Sequence, residues 1–362
     1  MPSKTPHDPP ASNAQGAAPS DSGAGGVPKV GVIYNPRSHR NQGQDLNSDP
    51  APRVYVAQPG DQAQLPIALR RFAERGINLL VINGGDGTVR DVLTAGGQVF
   101  GDDWPDLAVL PKGKTNALTV DLDAPKDWSL QGAIDAYRSG EHIVRRPLVV
   151  EPLGGTEQPA RWGFILGAGF FTLSINAGQD AHRLGAFSAL AVGVTTIWTI
   201  LQIALGSRTN KWRRGAKMAV SVETAGAEGA ASSAEPLVYT GDGDPERRLL
   251  VFASTLDRFP AGIKPFGSFA RGLKLTVLDE VRRTTFWRMP FLMRGKDASA
   301  LADRGVHQLK PESFVLDLYD EFILDGEAYP AGKYRVKQGP ALRFVTPAST
   351  CLLYTSPSPR DS

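Results

Sequence analysis

The stretch "NGGDGTVRDVL" (residues 83–93) places one carboxylate and one hydroxyl among three glycines. It follows the apolar run 79–82, which is typical of a buried strand, and a helical pattern follows it. Glycine lets a backbone approach a ligand closely, and a helix N-terminus favours negative charge, so the stretch predicts a phosphate site. A carboxylate fits there if Asp86 holds a magnesium ion, or if it binds a hydroxyl or a water.

A tight strand–helix turn, with Asp86 only shaping the chain, is the structural alternative. The full sequence Asn-Gly-Gly-Asp-Gly-Thr directly after an apolar run favours the phosphate site over that alternative. Thr88 could cap the helix or donate a hydrogen bond to a phosphate oxygen.

Strand and helix patterns alternate around this corner. "KVGVIYNP", "RVYVAQP", "INLLVINGG" and "LAVLP" are typical of strands, and "IALRRFAERG" has helical spacing that ends at Gly76. This alternation predicts a mostly parallel sheet, in which ligands bind beyond the carboxyl ends of the strands. The loops at Asn35, Gly84 and Lys112 all follow such ends.

The pattern changes near Pro147 to short β-like runs separated by turn residues, from "PLVVEPL" to "ALRFVTP". We therefore predict an α/β domain over residues 27–147 and a mainly antiparallel β domain over 148–347. Residues 1–26 are rich in Pro, Ala, Ser and Gly and predict a disordered tail without the apolar core of a signal or anchor. Residues 348–362 predict an unstructured tail, which could be non-native.

Composition excludes several function classes. The chain has 362 residues and a formal net charge of +3, which is too small a surplus to favour nucleic acid as a partner. Its single cysteine, Cys351, excludes a disulfide framework and a cysteine-ligated metal site, and it fits a reducing compartment.

Four motifs together resemble one enzyme family. "GGDGT" (84–88) is similar to the nucleotide-binding motif of diacylglycerol kinases, sphingoid lipid kinases and NAD kinases. "YNPRS" (34–38), "LPKGKTNAL" (110–118) and "LDGE" (324–327) resemble further motifs of the lipid kinases, in the same order. The segment that NAD kinases carry after the aspartate motif is absent from this sequence. The resemblance covers about residues 29–347 and selects the diacylglycerol kinase-like lipid kinases.

The resemblance implies a nucleotide-binding α/β domain followed by a β-sandwich domain, with the active site between them. It implies ATP and Mg²⁺ as cofactors and phosphoryl transfer to the primary hydroxyl of a lipid: diacylglycerol, ceramide or a sphingoid base. Asp86 would order the phosphates or the magnesium, or contact the acceptor hydroxyl. Glu327 would be the general base, with Asp325 close by. The residues that would hold the nucleotide are Asn35, Ser38, Gly84, Gly85, Gly87, Thr88, Gly113 and Asn116. For "LDGE", an Asp-Gly hairpin turn is the structural alternative.

Several positions depart from the family pattern. Lys114 stands where threonine is usual, Ala117 where aspartate is usual, and Arg271 where an aspartate of a magnesium–water network is often found. His39 occupies a position of the N-terminal loop at which the family often has glycine. Lys112 or Lys114 could contact a phosphate or could be solvated loop residues. A P-loop is excluded because Ala108 occupies the position of its first glycine. These departures favour, as the alternative, a non-catalytic lipid- or nucleotide-binding relative.

Two stretches have features that are relevant to membrane binding. Residues 184–207 are long enough to span a bilayer, but glycines, hydroxyl residues and Gln202 favour a buried or groove-lining helix. Residues 282–296 alternate arginines with Phe286, Trp287 and Phe291, which suits an anionic membrane surface; a packed loop is the alternative. We expect a lipid substrate at such a surface, no nucleic-acid partner and a cytoplasmic protein peripherally associated with the inner face of the membrane. A homodimer is left open.

Overall fold

The computed structural model describes residues 28–41, 53–139, 141–155, 158–170, 172, 215–223, 234–281, 283–286, 288, 291, 293–295 and 299–347. The two predicted tails, the span 184–207 and about half of the segment 282–296 lie outside these ranges. No helix within them is both long and apolar enough to cross a membrane.

A six-stranded sheet forms the first layer of the fold. Its strands are β1 (Lys29–Tyr34), β2 (Arg53–Ala57), β3 (Leu79–Gly84), β4 (Asp106–Pro111), β5 (His142–Arg145) and β19 (Leu342–Val345). Their order is β2-β1-β3-β4-β19-β5, and all neighbours pair in parallel except β5, which runs antiparallel to β19. The predicted parallel sheet is therefore present, with its glycine corner at the carboxyl end of β3.

Helices cover both faces of this sheet. They are α1 (Gln64–Glu74), α2 (Asp86–Phe100), α3 (Ala117–Asp121) and α4 (Leu130–Ser139). Leu69 of α1 and Leu93 of α2 belong to one core cluster, whereas Ile134 of α4 belongs to another with Val30 and Val81. Burial on both faces explains why the strands are continuous apolar runs instead of alternating ones.

Two antiparallel sheets make up the second part of the fold. One contains β6 (Leu148–Leu153), β7 (Arg161–Gly163), β9 (Ala216–Glu223), β10 (Ala234–Pro236), β11 (Arg247–Arg248), β15 (Ser313–Leu318) and β18 (Gly332–Gln338). The other contains β8 (Ile165–Gly169), β12 (Leu250–Ser254), β13 (Lys274–Leu278), β14 (Val306–Leu309), β16 (Phe322–Leu324) and β17 (Glu327–Tyr329). Between β13 and β14 lie a short helix, α5 (Arg283–Phe286), and a 3₁₀ turn (Ser299–Arg304). Both sheets contribute side chains to one core cluster.

The last strand departs from the domain order predicted by the sequence. The run "ALRFVTP" was expected in the second domain, but β19 lies in the first sheet, where Phe344 pairs with Leu107 of β4. Leu342 and Phe344 are fully buried in the same cluster as α1 and α2. The strands from β6 to β18 are thus inserted between two neighbouring strands of the first sheet. A short apolar run does not specify its partner, which explains the difference.

The two parts share a packed boundary. Phe164, Leu256 and Phe266 of the second part belong to the core cluster that contains α2. The Trp162 backbone N–H also donates to Thr94 Oγ1 of α2 at 3.0 Å. This boundary packs the second part against α2, the helix that begins at the glycine corner.

Candidate active site

The glycine corner is built by two loops in direct backbone contact. A Cβ at Gly85 would lie 2.7 Å from the Gly113 Cα, and a Cβ at Gly84 would lie 2.5 Å from the Thr88 side chain. Side chains are therefore excluded at these positions by close approach, because nothing there can move away cheaply. Gly87 has no such constraint, since its nearest neighbour would be 3.8 Å away.

The loop after β1 is tied to the first turn of α2. Asn35 Nδ2 donates to Thr88 Oγ1 at 2.8 Å, and the Asn35 backbone N–H donates to the Asn83 carbonyl at 3.1 Å. Asn35 and Thr88 line a cavity of about 420 Å³ at the carboxyl ends of β1 and β2, together with Arg37 and Asp91. Ser38 lies in the same loop, with its N–H bonded to the Asn35 carbonyl at 3.1 Å, but it does not line this cavity.

Asn116 holds the second loop in shape. Its Oδ1 accepts from the Gly113 N–H at 2.8 Å and its Nδ2 donates to the Gly113 carbonyl at 2.9 Å. Asn116 has a left-handed backbone, with φ of 50°, and precedes α3. Of the two lysines in the loop, Lys112 is buried and its N–H donates to the Gly84 carbonyl, whereas Lys114 is exposed. Only Lys114 therefore matches the expectation of a solvated loop residue.

Asp86 is the first residue of α2 and is half-buried. Burial raises the pKa of its carboxyl, although backbone N–H groups of Ala117, Leu118 and Asn116 act to lower it. The Asp86 side chain is thus turned toward the beginning of α3. Ala117 therefore supplies a backbone N–H to the site, at the position where the family usually has an aspartate.

Asp325 lies in the hairpin turn that joins β16 to β17. Both turn residues have positive φ, 45° at Asp325 and 83° at Gly326, as a two-residue hairpin of this kind requires. The Asp325 carboxylate accepts from the N–H groups of Phe164 and Ile165 at 2.9 and 2.8 Å. The turn predicted as the structural alternative therefore exists, and it also fixes the orientation of a carboxylate.

The two aspartates interact electrostatically. Burial raises the pKa of Asp325 to about 7, and the charge of Asp86 adds to that rise. The charge of Arg90 and the two backbone N–H groups act in the opposite direction. The structure thus brings the glycine motif and the late Asp-Gly-Glu motif into one site, although 238 residues lie between Asp86 and Asp325 in a chain of 362.

Glu327 is held by a residue that the sequence analysis missed. Its carboxylate forms an ion pair with Arg90 of α2, which is buried, while the Glu327 side chain is 44% exposed. Arg90 also donates to Asp91 Oδ1, at 2.7 Å from Nη2 and 3.1 Å from Nε. The spacing in the sequence could have indicated Arg90, because it lies four residues after Asp86 and therefore on the same face of α2.

The residues fit a magnesium ion carried by a nucleotide better than one bound by protein alone. Within the described ranges, no group of three or more His, Cys, Asp or Glu residues could hold a metal ion. Mg²⁺ is commonly bound by one or two carboxylates plus substrate phosphates. Asp86 and Asp325 match that smaller requirement, and burial leaves both carboxyls with raised pKa values despite the backbone N–H groups near both and the charge of Arg90 near Asp325.

Known proteins resemble this chain in sequence and in fold. Residues 29–145 match the model of the diacylglycerol kinase catalytic domain. Lipid kinase YegS of Escherichia coli (strain K12) is 36% identical over 85 residues, which are 24% of this chain and 27% of that protein. The sequence match thus spans about a quarter of that relative's length.

The structural likeness is broader. A crystal structure of a diacylglycerol kinase from Bacillus anthracis str. Sterne superposes with a TM-score of 0.58, covering 88% of this chain and 97% of that one. A second, putative diacylglycerol kinase from the same organism gives a TM-score of 0.57. At 15% identity in both cases, these structures show a shared fold. The match of residues 29–145 to the diacylglycerol kinase catalytic domain model confirms the resemblance predicted from the four motifs, and the solved structures show that the fold is shared.

Proposed function

We propose that this chain is an ATP-dependent lipid kinase that phosphorylates the primary hydroxyl of a membrane lipid such as diacylglycerol, with ceramide or a sphingoid base as other acceptors. The observation that carries the proposal is the Arg90–Glu327 ion pair. It joins the helix of the glycine corner to the hairpin of the second part, so that a carboxylate lies beside a phosphate-type loop. Phosphoryl transfer needs this combination of anion binding and an oriented acceptor.

The nucleotide would bind at the glycine corner and along the cavity beside it. Asn35 and Thr88 line that cavity, and Gly84, Gly85 and Gly113 keep side chains away from the phosphates. Ser38, Gly87 and Asn116 complete the proposed set by shaping the loops. Asp86 would hold the magnesium ion, which when bound neutralises charge on the phosphate oxygens.

Glu327 is proposed as the general base for the lipid hydroxyl. An alcohol is a poor nucleophile, so a carboxylate that accepts its proton as the new P–O bond forms assists the reaction. Arg90 fixes one Glu327 oxygen, and the side chain remains partly exposed to an incoming substrate. Asp325 would orient Asp86 and its ligands through their electrostatic interaction.

The lipid would be reached from the cytoplasmic side of the membrane, at its inner face. In the segment 282–296, Phe291 is 51% exposed and Met293 is 37% exposed. Arg288 and Arg294 are exposed beside them. Apolar and cationic side chains in one exposed segment suit peripheral binding to anionic lipid. Replacing Arg288 and Arg294 with Gln should therefore weaken co-sedimentation with anionic liposomes, and added salt should imitate the change.

A non-catalytic relative that binds lipid or nucleotide is the second candidate. It is favoured by Lys114, Ala117 and Arg271, which depart from the residues usual in the family. ATP-dependent labelling of a lipid extract separates the two candidates. A kinase produces a labelled phospholipid with the wild-type protein and none with Asp86→Asn. Retention of lipid or ATP without any labelled product would instead support the binding protein.

A further inference from the structure

A second polar cavity, of about 490 Å³, lies away from the glycine corner. Its lining includes Arg145 and Arg146 at the end of β5, Thr255 and Asp257 after β12, and Arg271 just before β13. In the order of the first sheet, β5 is four strand positions from β1, which lines the nucleotide cavity. The two cavities are therefore separate sites.

The acidic groups around this cavity are already neutralised. Asp121 accepts from Arg145 Nε at 2.5 Å and from the N–H groups of residues 257 and 258 at 2.7 Å each. Asp257 accepts from Lys274 Nζ at 3.0 Å and from the Arg271 N–H at 2.8 Å. The charges of these two carboxylates are thus neutralised by Arg145 and Lys274. The side chains of Arg146 and Arg271 take no part in these ion pairs.

Arg146 and Arg271 provide the surplus charge. Arg146 lines the cavity, and Nη1 donates to the Gly339 carbonyl at 3.0 Å, while its guanidinium has no ion-pair partner among the described residues. Arg271 is exposed, and its side chain has no hydrogen-bond or ion-pair partner among the described residues. Lys310 lies next to Gly272 at the rim, with Nζ bonded to the Ala270 carbonyl at 3.4 Å. Among the described lining residues, Asp257 is the only acidic one.

Thr255 supplies an independent sign of a ligand. It is only 5% exposed and lines the cavity, and its Oγ1, which is enclosed in this rotamer, has no hydrogen-bond partner in the described structure. A buried hydroxyl without a partner is costly, so such groups usually bind water or a ligand. A hydroxyl donates well to an anionic oxygen, and guanidinium groups bind phosphate oxygens with two parallel N–H groups.

We propose that this cavity is an anion site for a phosphate group, in which Arg146 and Arg271 bind the phosphate oxygens and Thr255, after rotation about χ1, donates from its hydroxyl. Two surplus positive charges match a phosphate dianion. The phosphate could belong to a free small molecule or to the headgroup of a phospholipid, since both present the same oxygens. This site does not depend on the proposed kinase activity.

Calorimetric titration of the whole chain with inorganic phosphate tests the proposal. The double variant Arg146→Gln, Arg271→Gln should bind phosphate at least about tenfold more weakly, because it loses two charge-assisted contacts. Thr255→Val, which keeps the shape of the side chain, should weaken binding about fivefold. Arg70→Gln, Arg304→Gln is the matched control, since it removes two exposed arginines elsewhere. ATP affinity, measured in parallel, should be the same in all four proteins.

A second arm identifies the source of the phosphate. Vesicles of phosphatidylcholine with phosphatidic acid are compared with pure phosphatidylcholine vesicles by co-sedimentation. Binding of free phosphate that depends on Arg146 and Arg271 supports a soluble ligand, and vesicle binding with the same dependence supports a lipid headgroup. The proposal is overturned if neither probe binds, or if the double variant and the control bind equally. A parallel loss of ATP affinity would also overturn it, because the two sites would not be separate.

Discussion

Two clusters of carboxylates in this protein experience opposite electrostatic surroundings. At the candidate active site, burial raises the pKa values of Asp86 and Asp325. At the β5 cavity, burial also acts to raise the pKa of Asp257, but the Arg271 N–H and the Lys274 ammonium outweigh it, and the pKa is lowered. Burial acts to raise the pKa at all three carboxyls, so the opposite shifts reflect how far neighbouring N–H groups and cations offset the cost of burying the charge.

This comparison distinguishes carboxylates that are fully partnered within the protein from those proposed to act in the active site. Asp257 belongs to a network that is complete within the protein, and Asp279 likewise has its pKa lowered by His307, Thr240 and Arg248 despite burial. At Asp86 and Asp325 the cost of burial is offset only in part, by backbone N–H groups and, for Asp325, by Arg90, and a bound cation would offset the rest. Perturbed carboxyls of this kind cluster at functional sites because the ligand supplies the missing charge.

The largest effect is expected at Asp86. Asp86→Asn should nearly abolish phosphoryl transfer, since removing the carboxylate costs several kcal/mol of transition-state stabilisation. Steady-state lipid phosphorylation measures the change, and circular dichroism checks that the variant is folded. Normal turnover by a folded variant would show that the uncompensated carboxylate has no catalytic role.

Glu327 should show the next largest effect. Glu327→Gln should lower kcat about 10²–10⁴-fold with a small change in KM for ATP, because a base acts on the acceptor hydroxyl. Glu312→Gln, which changes an exposed glutamate elsewhere, is the control. If ATP affinity collapses while kcat is retained, Glu327 belongs to the nucleotide site.

A substitution of Lys274 tests whether the carboxylates at the β5 cavity have a structural role. Lys274→Met should lower the free energy of unfolding by about 2–3 kcal/mol, because it removes one partner of an ion pair in which Lys274 is 1% exposed. Turnover measured below the unfolding temperature should be nearly unchanged. Chemical denaturation beside the kinase assay gives both values. If Lys274→Met were stable but inactive, the β5 cavity would contribute to activity and not to stability, contrary to this prediction.

The last prediction concerns the pH dependence of stability. A raised pKa means that folded protein binds a proton at Asp325 more tightly than unfolded protein does, so this contribution to stability is complete below about pH 4 and is lost as pH rises through about 7. The wild type should therefore lose stability relative to Asp325→Asn between pH 4 and pH 8. Urea unfolding at several pH values measures the difference. A constant difference across that range would show that Asp325 is compensated like Asp257.

The site could be predicted in part from local sequence. The motif around Asp86 needs only neighbouring residues and one close backbone contact, so its glycines predict it directly. Arg90 was missed because a single arginine on an apolar helix face has no motif, and its importance depends on Glu327, which lies 237 positions later in a 362-residue chain. The exact roles of the nucleotide-binding residues stay predictions.

The parallel sheet, the glycine corner and the change to antiparallel strands near Pro147 could be predicted from the sequence, because these features depend on short-range periodicity and turn residues. The folded structure was needed to show that β19 returns to the first sheet, that Asp325 interacts with Asp86, and that Asp121 and Asp257 both pair with Arg145. Pairing between distant segments depends on the shape and charge of both surfaces after folding, and neither segment carries that information alone.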